Sequence, residues 1–168
     1  MANDTVQNYS SITESELTTP TSTQRYPLGI EVVTGTSATG NRKVWKYIQA
    51  DNALVQYGAY IIKDIYLTAG VKVKAITAAS LAVYQVVGVA PVAFTDEYYG
   101  FVQIEGDATI LATSSTATAG NYCKVVNGVA TITDESTTQA TASVAICKVA
   151  ATGTSTTYTL TGNRAIVA

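Results

Sequence analysis

The stretch Tyr84-Gln-Val-Val-Gly-Val-Ala-Pro-Val-Ala-Phe-Thr-Asp-Glu-Tyr-Tyr-Gly-Phe-Val-Gln-Ile-Glu-Gly106 decides the fold class. It reads as two buried strands, dense in Val, Ile, Phe and Tyr, joined by a polar turn around Asp96-Glu97. Outward from it, the chain from Gly29 onward repeats the pattern in short runs of Val, Ile, Thr, Tyr and Ala broken by Gly, Asn and Asp. The expected strands are Gly29–Thr34, Lys43–Gln49, Tyr60–Leu67, Val71–Ile76, Tyr84–Phe94, Gly100–Glu105, Ala108–Ala112, Tyr122–Val126, Val129–Thr133, Ala142–Ala150, Thr156–Leu160 and Arg164–Val167. Between Val126 and Val129, Asn127-Gly128 suits the positive φ values of a two-residue hairpin turn. Thr77–Tyr84 is the one segment that fits a helical turn as well as a strand. The expectation is an all-β domain, a compact β-sandwich, jelly roll or small barrel, with strand order left open.

Two further features bear on its organisation. Residues 1–28 are rich in Ser, Thr, Asn, Gln and Glu, with apolar residues only at intervals, and read as an extended N-terminal arm ahead of a single domain over 29–168. Tyr9, Ile12, Leu17 and Tyr26 are spaced as anchors of a strap that orders on a partner's surface. Thr68-Ala-Gly-Val-Lys-Val-Lys74 echoes Thr118-Ala-Gly-Asn-Tyr-Cys-Lys124, which suggests a duplicated β-unit with a spacing of about 50 residues.

Composition limits the chemistry. With 168 residues the chain can bury roughly 70% of its unfolded surface in one core. Charged residues are 13% and the net charge is −2, so there is no field to hold nucleic acid. There is no histidine, and neither a secretory leader nor an apolar run long enough to cross a bilayer is evident. A catalytic role is not expected, nor a cofactor or metal. Gly35-Thr-Ser-Ala-Thr-Gly40 has phosphate-loop glycine spacing but is followed by Asn41-Arg42, so it reads as a hairpin turn. Glu105 and Asp107, flanking Gly106, read as a solvated pair, and Arg42, Lys43 and Lys46 as a solvated strand face, with docking on an acidic surface as the alternative. Cys123 and Cys147 fall in apolar runs and read as small buried hydrophobes, with a bridge between neighbouring strands as the alternative.

Tyrosine is abundant, 11 against two phenylalanines, and suits strand surfaces half covered by a neighbour. Tyr98, Tyr99 and Phe101 are the candidate subunit or partner contact.

The runs Val86-Val-Gly-Val-Ala90 and Tyr98-Tyr-Gly-Phe-Val-Gln103, with the turn between them, resemble those of capsid decoration, or cement, proteins of tailed bacteriophages. The resemblance is best over Val86–Ile110 and extends to Tyr26-Pro-Leu-Gly-Ile-Glu-Val-Val33. It implies a structural virion protein on the outer capsid surface, a homotrimer whose partner is the major capsid protein, with an arm that adds a strand to that protein. Two other readings compete: a carbohydrate-binding or adhesin module of a tail or fibre, and a tail-tube or head–tail joining subunit.

Overall fold

A computed structural model describes residues 12–35, 42–67, 70–76, 86–112, 118–125, 129–136, 145–148 and 155–161. The protein is all-β. Its strands are β1 (Glu31–Thr34), β2 (Lys43–Ala50), β3 (Ala59–Leu67), β4 (Gly70–Ile76), β5 (Val86–Val89), β6 (Tyr99–Leu111), β7 (Tyr122–Val125), β8 (Ile132–Ser136), β9 (Ala145–Cys147) and β10 (Ser155–Thr161). Among the described residues the helical element is one 3-10 turn, Glu16–Thr18.

The ten strands of the described residues belong to one sheet, in the order β1-β2-β4-β3-β5-β6-β10-β9-β7-β8, with β2 also paired to β6. Every ladder is antiparallel except the short parallel β2–β4 join at Gln49↔Lys74 and Ala50↔Ala75. The extra β2–β6 pairing folds the sheet back on itself. It does not close into a barrel: β1 and β8 remain its two ends, and the β5–β6 join is the single pair Val89↔Gln103.

Side-chain alternation along this folded sheet builds three apolar layers. The outward residues of β2 and β6, Trp45, Tyr47 and Phe101, form a layer with Leu17. The opposite residues of the same strands, Val44, Ile48, Val102 and Ile104, meet Tyr60 and Ile62 of β3 in the middle layer. Ala59, Ile61, Val87 and Val89 face the other way and pack with Ile110, Cys123, Ile132, Cys147, Tyr158 and Leu160. Where consecutive residues of these strands are buried on both faces, as at Tyr47–Ile48, Ala59–Ile62, Val87–Val89 and Phe101–Val102, the sequence is a continuous run without charged residues rather than an alternating one.

Gly100–Glu105 and Ala108–Ala112 are one strand, not two. Gly106, expected to end the first, stays inside β6 with φ +90 against the Arg42 backbone, two residues beyond Ile104, the extra residue where Val44 pairs with Glu105 and Trp45 with Gln103. A β-bulge of this kind bends the strand without breaking it, and the bend carries β6 from β2 to β10. The hairpin after β7 is wider than its Asn-Gly implies. The ladder closes at Val125↔Ile132, whereas a two-residue turn would pair Val126 with Val129, and residues 126–128 lie outside those described. The long expected strand Tyr84–Phe94 is β5 followed by a bent loop. Thr77–Tyr84 and Arg164–Val167 lie outside the described residues.

Candidate interaction surface

Residues 12–30 lie along the outer face of β2 and β6. Leu17 is 3% exposed among Trp45, Tyr47 and Phe101, and Ile12, Tyr26, Leu28 and Ile30 pack around them. Four rings interlock there: Tyr26 is edge-on to Tyr47 at 5.3 Å, and Phe101 lies 4.9 Å from Tyr47. Tyr99 stacks on Tyr47 at 6.5 Å. The backbone is pinned as well. Thr21 and Tyr99 exchange N–H···O bonds of 2.9 and 2.8 Å, the Tyr47 hydroxyl accepts the Arg25 N–H, and the Gly29 N–H donates to the Tyr47 carbonyl.

Glu16 locks the strap to itself. Its carboxylate accepts the Thr13 N–H at 2.8 Å, the Tyr26 hydroxyl at 2.7 Å and the Thr13 hydroxyl at 2.9 Å, with Arg25 at 3.8 Å. These donors, led by the Thr13 amide, hold the Glu16 carboxyl at about 2, and the hydrogen bond that Tyr26 donates to Glu16 raises the Tyr26 hydroxyl above its ordinary value.

The placement of the expected contact residues follows from this. Leu17 and Tyr26 fill the chain's own outer layer, as does Ile12, and Tyr9 lies outside the described residues. Phe101, 1% exposed, is a core residue, so it offers no surface to a partner while the strap is in place. Tyr99 is half-buried against Tyr47 and Thr21, and Tyr98 is half-buried in the turn before β6. Tyr99 and Phe101, two apart on β6, share the face that packs on Tyr47, whereas Tyr98 lies in the turn ahead of the strand. Sequence reasoning passed over Trp45 and Tyr47, although their spacing of two along an expected strand places both on one face.

The basic cluster is dispersed among carboxylates. Arg42 pairs with Glu105, and Lys46 lies 3.5 Å from Glu31. Asp107 pairs with Lys148 and accepts the Thr159 hydroxyl. Cys123 and Cys147 are not bridged. They sit diagonally on β7 and β9, where Cys123 pairs with Ala145, and diagonal neighbours are wider apart than a disulfide favours. Burial, then the hydrogen bond from Cys123 to Asp134 at 3.2 Å, pushes the Cys123 thiol far up and leaves it unreactive.

At one end of the sheet two loops form a matched pair. Residues 51–58 link β2 to β3 and residues 90–98 link β5 to β6, with 91–98 matching 51–58 forty positions further along. Leu54 pairs with Phe94, the Tyr57 N–H donates to the Ala90 carbonyl at 2.8 Å, and the Glu97 N–H donates to the Ala50 carbonyl at 3.0 Å. Tyr57 and Glu97 share a positive φ, 62 and 63. The strand pairings obey the same exchange, β2 with β6 and β5 with β3. This internal twofold runs across β2–β3 and β5–β6, and is not the Thr-Ala-Gly echo read from the sequence, whose first copy falls partly outside the described residues. Among the described residues no three His, Cys, Asp or Glu converge as metal ligands, and no helix is long and apolar enough to cross a membrane.

No family model matches the chain, and no curated protein matches it in sequence. Among solved structures it is similar to "head fiber gp8.5 N base in bacteriophage phi29", with 11% identity over 73% of this chain and 97% of that one and a TM-score of 0.47. That is too distant a likeness to carry an argument about function.

Proposed function

We propose that the chain is a structural virion protein of a tailed phage that binds the outer capsid surface as a trimer and cements neighbouring capsid subunits. The observation that supports this most is where the resemblance falls. Val86–Ile110, the stretch similar to decoration proteins, forms β5, the second matched loop and most of β6, the strand bonded to β2, β5 and β10. The likeness thus covers the middle of the fold rather than a peripheral loop.

In this reading the capsid is reached from the ends of the chain's own structure. Leu17 and Tyr26 are occupied within the protomer, so the arm's contact falls to residues 1–11 with Tyr9. Strand β1, paired on one side only among the described residues and carrying Val33 at 55% exposure, offers an edge for strand addition. Each protomer needs only a modest contact, because three linked copies act with an avidity about 10² to 10⁴ above one.

Cryo-electron microscopy of heads mixed with the protein tests this. Discrete threefold protrusions on the shell are the expected result. Bare heads with density on the tail, or a monomer by sedimentation at micromolar concentration, would sink it.

A further inference from the structure

Two adjoining cavities lie on the sheet, one of about 720 Å³ under the strap at Glu14, Leu17 and Thr18 and one of about 350 Å³ beside the loops carrying Tyr57 and Pro91, both in the size range of ligand sites. Lys43, Trp45 and Asp107 are walls of both, so the two form one groove over the indole. We infer that this groove binds a neutral oligosaccharide, held against the half-buried ring of Tyr57 and the small exposed part of the Trp45 indole, 7% of that residue, and by the polar groups of Lys43, Gln103, Asp107 and Thr109.

The floor is built rather than incidental. Gln103 is a polar side chain only 4% exposed, paired across the sheet with Trp45. Its Nε2 donates to the carbonyls of Glu105 at 3.1 Å and Asp107 at 2.9 Å. Both amide hydrogens are thereby used, and the Oε1 acceptor is what Gln103 has left to offer a ligand. Trp45 donates its Nε1–H to Thr34 at 2.9 Å, so the indole contributes apolar surface rather than a donor. Exposed Thr109 adds a hydroxyl at the wall.

Charge decides the ligand class. Burial works to raise the Asp107 carboxyl, but Lys148 and Thr159 outweigh it, and Lys43 adds to them, so the group is held below its ordinary value and ionised at neutral pH. Lys43 therefore faces a carboxylate within the groove, and Glu14 adds another in the outer cavity. Without excess positive charge the groove does not suit phosphates or polyanions. Mixed donors and acceptors beside apolar rings suit hydroxyl groups, which both donate and accept, on a ring with apolar C–H edges.

Trp45 is the sole tryptophan, so its emission reports directly on the groove. The full chain is titrated with maltohexaose, cellohexaose and chitohexaose, by fluorescence and calorimetry. A saturable emission shift with at least one is expected, weakened tenfold or more by Thr109→Arg, which blocks the exposed wall, and by Lys43→Met, with unchanged circular dichroism. Absence of a shift and of heat with all three sugars overturns the inference, as does binding that survives both variants. The free protein is used, so the outcome is independent of capsid attachment.

Discussion

Leu54 and Phe94 exchange both of their backbone hydrogen bonds, Leu54 N–H to Phe94 carbonyl at 3.0 Å and the reverse at 2.9 Å, across the internal twofold. The two halves divide their volume differently. One carries Tyr60, whose hydroxyl accepts the Val55 N–H at 2.7 Å, where the other carries Gly100, and the Phe94 ring occupies the space a Cβ on Gly100 would need, 2.6 Å away.

Phe94→Ala should therefore cost about 3–5 kcal/mol, as for other buried aromatics. Gly100→Ala should also destabilise, but less so in a Phe94→Leu background, because the shorter side chain vacates the contested space. A double-mutant cycle by urea unfolding checks this, and strict additivity would refute the packing account.

The strap should loosen in acid. Glu16 has a folded-state pKa of about 2, below its ordinary value of 4.5, so its contribution is present above 4.5 and is lost as pH falls towards 2. Relative to the exchange of an unstructured peptide at the same pH, the protection of residues 12–26 should fall over that window. Glu16→Gln should lower that protection at neutral pH and flatten its dependence on pH.

Truncation separates arm from strap. Removing residues 1–11 should leave the unfolding midpoint nearly unchanged, whereas removing 1–30 uncovers Trp45, Tyr47 and Phe101 and should bring aggregation. Leu17→Ala should cost about 2–5 kcal/mol in denaturant unfolding; a value near zero would mean that the strap is not part of the core.

Gly106→Ala should be strongly destabilising. At φ +90 the backbone alone costs an L residue about 1–3 kcal/mol, and the new Cβ would lie 2.3 Å from the Arg42 carbonyl oxygen. A lowered denaturant midpoint, with β6 and β10 exchanging first, is the expected signature.

The two thiols should resist modification in the folded protein and react together on unfolding. A thiol-reactive dye in buffer and in denaturant distinguishes this from the bridged alternative, in which neither would react without reductant.

Strand content is written in local composition. Val, Ile, Thr and Tyr runs bounded by Gly, Asn and Asp place β1 to β4 within a residue or two, because local stiffness and pleat-compatible shape act over neighbours along the chain. What it left open depends on contacts between distant residues. That β6 continues through Gly106 depends on Arg42 and Val44 across the sheet, and that Leu17 and Phe101 are core depends on the strap lying down on β2. Trp45 and Tyr47 looked like ordinary strand residues until Gln103, fifty-odd positions away, gave the indole its floor. Strand order, the internal twofold and the groove were decided by tertiary structure alone, since period-2 alternation says which residues share a face but not which surface that face will meet.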